Sequence, residues 1–479
     1  MKHKKLFQKI IISLAFCLTI SPTLNAYAAP TAQELAQQRK NLPIQSNSYE
    51  NWPDGPQVSA QSAIVMDVDS GTVLYAKNID EKLYPASTTK ILTCLLAVEN
   101  AQMNENVEFS YDAVFGVPRD GSNMGIDVGE ILPMEDCLYG ILVGSANEVA
   151  AAVGEHVGGD TETFLQMMND RAKELGCKNS NFMNANGLHD ENHYTTAYDL
   201  ALIARAFFAN DYLANIANTP RVHFEPTATQ PDDFYLNNKN KLVTGEIKYQ
   251  YYMGGKTGYT SQAKQTLVSC AEKDGMRLVC VVMKEETPDQ FNDTVTLFNY
   301  GFSNFKKIKV SEVDTKYTTS NTSFFESGQD IFGNSKSILE LDKNGYIMIP
   351  ASAEFTDVES SIGYDKLAEN QVAMINYTYN DIFVGSVPVN LAENTEIYDF
   401  ESESTSANSV TIINVKNVIL WIIGITLFLS VLMFITRYVN QYHFGGKKGR
   451  MAKKRRKRHV QRSVSPYRNF NFDDIDLRK

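Results

Sequence analysis

Cysteine is scarce in this chain: there are six in 479 residues, and none forms a C-x-x-C pair. A disulfide framework or a cysteine-rich metal site is therefore not what organises the fold. Cys17 lies in the leading segment, and the remaining five, Cys94, Cys137, Cys177, Cys270 and Cys280, are odd in number. Several stand among apolar neighbours, as expected of small core residues. No internal repeat is found. Positive charge is also sparse over most of the length. The net charge is −11, and the C-terminal end concentrates basic residues, so the rest is more acidic still. An acidic domain of this kind is a poor partner for nucleic acid.

What is present begins with the ends. Residues 1–9 are basic, an apolar run covers 10–20, and small residues lead to Ala26-Tyr27-Ala28. This is the order of a secretory signal peptide, expected over 1–28, with the mature chain starting near Ala29. Residues 418–436 contain no charge and are close to the ~20 residues that span a bilayer as a helix. Arg437, Lys447, Lys448, Arg450 and a basic block at 453–458 follow. Positive residues stay inside, which predicts a transmembrane helix, a cytoplasmic tail over 437–479 that contacts anionic lipid, and everything before it outside the cell.

Between the ends, residues 29–55 are rich in Gln, Asn, Ser and Pro without a sustained period, and read as a spacer. Alternating segments at 63–68 and 73–76 flank Asp69-Ser70-Gly71 and predict a hairpin. Three-to-four spacing of apolar residues predicts helices over 90–99, 137–157, 162–175 and 195–208. A second hairpin is expected at 266–271 and 276–283, followed by a helix over about 289–302. Strands at both ends with helices between predict one α+β domain over 56–305, its antiparallel sheet assembled from distant parts of the chain. Short alternating runs then suggest a small β-rich domain over 306–391, and 392–417 reads as an acidic, Ser-rich tether.

Three short motifs carry chemistry. Pro85-Ala86-Ser87-Thr88-Thr89-Lys90 opens the first strong helix and places Ser87 and Lys90 one turn apart on one face. A serine hydroxyl needs a base within reach before it attacks an acyl carbon. A lysine can be that base if burial and a neighbouring cation lower its pKa. Gly144-Ser145-Ala146-Asn147 follows an apolar stretch. There Ser145 could relay a proton and Asn147 could hold the lysine and a substrate amide. Gly254-Gly255-Lys256-Thr257-Gly258-Tyr259-Thr260 precedes the second hairpin and suits a substrate carboxylate, with Lys256 as the second cation. Each motif alone says little: Ser303 and Lys306 repeat the first spacing, and Ser406-Ala407-Asn408 the second. Context separates them, because Ser87 opens an apolar helix whereas Ser303 closes one.

Taken together and in this order, S-x-x-K, S-x-N and K-T-G resemble the penicillin-binding and serine β-lactamase superfamily. Ser122-Asn123-Met124-Gly125, Gly129-Glu130, Leu142 to Asn147, Leu175-Gly176, Asn186-Gly187-Leu188 and His193 to Ala201 narrow this. Over roughly 59–305 the chain is similar to the low-molecular-mass D-alanyl-D-alanine carboxypeptidases that trim bacterial cell walls. That resemblance implies a β-lactamase/transpeptidase-like domain. Ser87 would form an acyl-enzyme with the penultimate D-Ala, Lys90 would accept its proton, and Ser145 would pass one to the departing D-Ala. Asn147, Lys256, Thr257, Gly258 and Tyr259 would bind substrate, with the amides of Ser87 and Tyr259 forming the oxyanion hole.

The implied partners are peptidoglycan stem peptides ending in D-Ala-D-Ala, with β-lactams as inhibitors, and no metal or cofactor is required. A complete transmembrane helix departs from the family's usual amphipathic C-terminal anchor. A β-lactamase shares the three motifs; class A enzymes add a glutamate, for which Glu191 is the only nearby candidate. A non-enzymatic membrane β-lactam sensor is the alternative from another class. His193 reads as a structural residue at a helix entry and Asp199 as a carboxylate on a helix face.

Overall fold

The computed structural model describes residues 30–314, 316, 339–364, 371–391, and Leu429, Met433 and Ile435. The expected signal peptide, the tether and the basic tail lie outside the described residues, as does nearly all of the expected span. Among the described residues no helix is long and apolar enough to cross a membrane. By its contacts the chain divides into Met1–Glu396 and Ile397–Lys479, and the architecture below is that of the first unit.

A five-stranded antiparallel sheet lies at its centre. Strands β1 (Ser62–Asp67) and β2 (Val73–Lys77) form the first predicted hairpin. Its turn is held by Asp67, whose Oδ2 accepts from the Ser70 amide and hydroxyl at 2.7 Å each. Strands β3 (Asn106–Glu108) and β4 (Ile131–Pro133) make one side ribbon, and β5 (Arg221–Phe224) with β6 (Phe234–Asn237) another. The sheet is completed by β7 (Tyr252–Thr260), β8 (Lys264–Lys273) and β9 (Met276–Glu285), in the order β2-β1-β9-β8-β7. Asp274 and Gly275, both at positive φ, make the tight turn between β8 and β9.

Alternation along the strands divides two apolar layers. Ile64, Met66, Val268, Val279, Val281 and Met283 face a mainly helical core. Ala63, Val65, Leu267, Leu278, Cys280 and Val282 face a second core on the other side. Among the described residues the α-helices of five or more residues are α1 (Ala32–Lys40), α2 (Lys90–Asn100), α3 (Tyr111–Phe115), α4 (Met134–Tyr139), α5 (Asn147–Gly158), α6 (Thr161–Glu174), α7 (Ala197–Phe208), α8 (Asp211–Ala217) and α9 (Asp289–Asn304). All five described cysteines are free and buried.

The structure departs from expectation in two places. Residues 30–55 are packed rather than a spacer: Thr31 and Glu34 form a reciprocal cap on α1, and Arg39 meets Glu286 at 3.2 Å. Ile44 and Trp52 enter the second core, and the Trp52 Nε1 donates to the Leu74 carbonyl at 2.9 Å. A few widely spaced anchors suffice there, which leaves no period to detect. The helical stretch expected over 137–157 is divided by a π turn, Gly140–Gly144, and a left-handed residue, Ser145.

After α9, β10 (Phe305–Lys309) pairs with β12 (Tyr346–Pro350). A further sheet has the order β11-β15-β14-β13, from Leu339–Leu341, Ile382–Leu391, Gln371–Tyr379 and Glu359–Gly363. Ile347, Ile349, Tyr377 and Val384 from these strands share the second core with Trp52 and Phe305.

Candidate active site

Ser87 sits in a short 3-10 turn, Ala86–Thr89, that runs directly into α2. Ala86 holds φ 49°, and Ser145 holds φ 63° and ψ 28°, both left-handed. Such a conformation costs a non-glycine residue about 1–2 kcal/mol, so each is held by what surrounds it. Gly187 lies so close that a Cβ there would overlap the Ala86 carbonyl. A Cβ on Gly258 would fall 3.0 Å from the Ser87 amide nitrogen and from the Pro85 carbonyl oxygen. Strand β7, at the edge of the sheet, is thereby seated against the turn that carries Ser87.

Lys90 is fully buried. Its Nζ donates to Asn147 Oδ1 at 2.7 Å, to the Asn186 carbonyl at 2.6 Å and to Ser87 Oγ at 3.1 Å. Burial first, and the charge of Lys256 second, push its pKa well below that of an ordinary lysine. Lys256, 2% exposed, donates to Ser145 Oγ at 2.9 Å and to the Thr257 carbonyl at 2.8 Å. Burial, followed by the charge of Lys239, lowers it to about 7.

The structure thus brings Ser87, Lys90 and Asn147 into one hydrogen-bonded group and Ser145 and Lys256 into another, with the two lysines close enough for the charge of one to act on the other. Thr257, Gly258 and Tyr259 lie on the same strand as Lys256, and the Tyr259 side chain is exposed. His193 is elsewhere engaged: its Nδ1 accepts from the Met183 amide at 3.2 Å, so Nε2 carries the hydrogen and donates to Thr89 Oγ1 at 2.9 Å. Burial lowers its pKa to about 4, leaving a neutral structural ring. Asp199 accepts from the amides of Lys178 and Asn179 and the hydroxyl of Ser180. Glu191 is exposed, in a surface pocket with Lys82, Tyr84 and Lys284. Lys306 pairs with Glu354 at 3.2 Å, far from any such group.

Residues 49–287 match the family model for D-alanyl-D-alanine carboxypeptidases. The D-alanyl-D-alanine carboxypeptidase DacF of Bacillus subtilis is 34% identical over 282 residues, covering 55% of this chain and 70% of that protein. DacB2 of Mycobacterium tuberculosis, another D-alanyl-D-alanine carboxypeptidase, is 34% identical over 52% of this chain and 84% of its own. The chain belongs to the D-alanyl-D-alanine carboxypeptidase family. Among solved structures, penicillin binding protein 5 from Haemophilus influenzae superposes with a TM-score of 0.53 at 26% identity, covering 71% of this chain and 98% of that one.

Three features of this candidate site lie outside the three motifs. The Asn186 carbonyl acts through its backbone, which leaves no trace in the side chain, although Gly187 beside it marks the close approach. Lys239 donates to Ser122 Oγ at 2.7 Å and adds positive charge near Lys256. Glu148, buried next to Asn147, accepts from the Met124 and Gly125 amides at 2.6 and 3.2 Å. With the Asn147 amide donating to the Ser122 carbonyl at 2.9 Å, it pins the 122–125 loop to α5.

Proposed function

We propose that this serine D-Ala-D-Ala carboxypeptidase removes the terminal D-alanine of peptidoglycan stem peptides through an acyl-enzyme on Ser87. The observation that carries the reading is the set of three oxygens around the Lys90 amine. A neutral amine has two hydrogens and one lone pair. The Asn147 and Asn186 oxygens can only accept, so they take the two hydrogens, and the lone pair is left for the Ser87 hydroxyl. Ser87 then gives its proton to Lys90 as its oxygen bonds to the penultimate D-Ala carbonyl carbon. The amides of Ser87 and Tyr259 receive the developing oxyanion.

As the carbon–nitrogen bond breaks, the proton held by Lys90 passes through Ser145, whose hydroxyl is held by Lys256, to the departing amine, and Lys90 is neutral again. Lys256 and Thr257 hold the terminal carboxylate, and Asn147 the substrate amide. Water, activated by the same lysine, frees Ser87. A β-lactam presents a strained amide to the same serine and acylates it. The positive ends of the sequence support export by residues 1–28 and anchoring by 418–436, with the tail on anionic lipid.

The test is a fluorescent penicillin together with a peptide ending in D-Ala-D-Ala. Wild type should be labelled on Ser87 and should release one D-Ala per peptide, and Ser87→Ala should do neither. Permanent labelling without release would replace this reading by a sensor, and rapid penicillin hydrolysis by a β-lactamase. Protease protection of the 437–479 tail in sealed cells tests the topology.

A further inference from the structure

Helix α3 presents aromatic side chains that its own packing leaves outside. Ala113 and Val114 are buried in the helical core, and Ser110 fixes the helix by accepting from the Ala113 amide at 3.0 Å while donating to Glu155 at 2.6 Å. That anchoring turns positions 111 and 115 outward together, four residues apart. Tyr111 is 67% and Phe115 49% exposed. Their ring centroids are 4.9 Å apart, and the Arg119 guanidinium lies 4.4 Å over the Phe115 ring.

The loop that follows this stack passes the Asn147 side chain. A cleft of about 260 Å³ beside that loop is lined by Val117, Arg119, Asn123 and Glu148. Glu148 follows Asn147, whose side chain holds Lys90. A Cβ on Gly121, in the same loop, would fall 2.8 Å from the side-chain nitrogen, Nδ2, of Asn147. A substrate acylating Ser87 through its C-terminal end must direct its remaining length out of the site, and the loop beside Asn147 leads from there to the stack.

We propose that Tyr111, Phe115 and Arg119 form a platform for the amino-sugar ring to which the stem peptide is attached, so that glycan-linked substrate is preferred over free peptide. The inference rests on the carboxypeptidase reading above. A sugar ring presents a face of C–H groups that is apolar and slightly positive, which suits the negative face of an aromatic ring. Its hydroxyl and acetamide oxygens suit the fixed donors of a guanidinium. An exposed patch of two rings and one arginine matches one or two sugars and is too small for a stable protein interface.

The experiment compares, on the full chain, kcat/KM for a pentapeptide ending in D-Ala-D-Ala and for the same pentapeptide joined to a disaccharide. In wild type the ratio should favour the disaccharide form. Y111A/F115A should lower that ratio roughly fivefold, the scale of an aromatic stacking contribution, and Y111F/F115Y should restore it. An unaltered ratio, or an equal fall for both substrates, would overturn the proposal. Co-sedimentation of the Ser87→Ala chain with insoluble glycan stripped of peptide is the second measurement, and it should be lost in the Ser87→Ala chain that also carries Y111A/F115A. If wild type releases D-Ala from neither substrate the carboxypeptidase reading fails. The sedimentation result then decides the platform by itself, retention of binding by the double-alanine variant overturning it.

Discussion

Lys90 meets Asn147 at 2.7 Å, amine to side-chain oxygen, and the acceptor carries no charge. A carboxylate in that place would hold the amine protonated; a neutral oxygen satisfies a hydrogen without favouring the ammonium. Together with burial and the nearby Lys256, this is how a residue that is ordinarily a cation becomes available as a base.

The two lysines give the pH profile opposite limbs. Lys90 must be neutral to accept the Ser87 proton in the proposed reaction, and its pKa is pushed well down, so acylation rises as pH climbs through that lowered value, below the range of an ordinary lysine. Lys256 must be charged to hold a carboxylate, and its pKa is about 7 in the free enzyme, so kcat/KM falls as pH rises above that value. A bound carboxylate favours the ammonium, so the alkaline limb of kcat moves higher than that of kcat/KM. D-Ala release measured from about pH 5 to 10 checks this, the range bracketing ordinary carboxyl and lysine values. An activity still rising at the alkaline end in both parameters would contradict the role of Lys256.

Asn147→Asp tests the neutral acceptor directly. The new carboxylate would stabilise the Lys90 ammonium and raise its pKa by about 1–3 units. Acylation at neutral pH should drop at least about tenfold, since one unit corresponds to about 1.4 kcal/mol. The signature is recovery with pH: the acid limb of penicillin labelling should move upward while the melting temperature stays close to wild type. A uniform loss at every pH would point to a broken substrate contact instead.

Residues with side-chain chemistry at fixed spacing were legible in the sequence. Ser87 and Lys90 one turn apart, Ser145 and Asn147, and Lys256 are recognisable because the proposed reaction needs those groups, and both hairpins are legible because strand period and turn residues agree. Asn186 entered only through the resemblance of Asn186-Gly187-Leu188, and its contact with Lys90 was hidden because its contribution is a carbonyl common to every residue. Ser145 was placed in a helical stretch, but its left-handed backbone is imposed by contacts across the fold, including Gly144 packing on Leu236. The packing of 30–55 depends on partners such as Leu74 and Glu286 that lie far along the chain.

Glycines at 187 and 258 separate folding from catalysis. Gly187 has φ 81° and a Cβ there would collide with the Ala86 backbone, so Gly187→Ala should cost about 2–5 kcal/mol and abolish labelling. At Gly258 the backbone is extended and the contact is only tight, at 3.0 Å from Pro85 and Ser87. Gly258→Ala should therefore melt near wild type yet push β7 away from the Ser87 turn, slowing penicillin acylation at least about tenfold, the factor that ~1.4 kcal/mol represents. Wild-type labelling by Gly258→Ala would show that β7 need not approach so closely.

Far from the site, Glu285 makes stability depend on pH. Its carboxylate is buried and accepts from Ser59 Oγ at 2.7 Å, and the same hydroxyl meets Asp293 at 2.9 Å and Asp289 at 3.2 Å. Burial, followed by the Asp293 carboxyl, pushes Glu285 well above the ordinary carboxyl range. Lys77 nearby donates to the Arg39 and Val58 carbonyls, and burial lowers it to about 8. A carboxyl raised on folding contributes stability that is complete below its unfolded pKa of about 4.5 and is lost as pH rises through the folded value. Lys77, lowered on folding, acts in the opposite sense only from about 8 upward. Glu285→Gln keeps an oxygen for Ser59 and supplies an amide hydrogen for Asp293. Its melting temperature should match wild type near pH 5 and exceed it by at least about 2–4 °C near pH 7.5, the effect of ~1 kcal/mol in a domain of this size. A difference that stays constant between those two pH values would mean that Glu285 does not exchange a proton on unfolding.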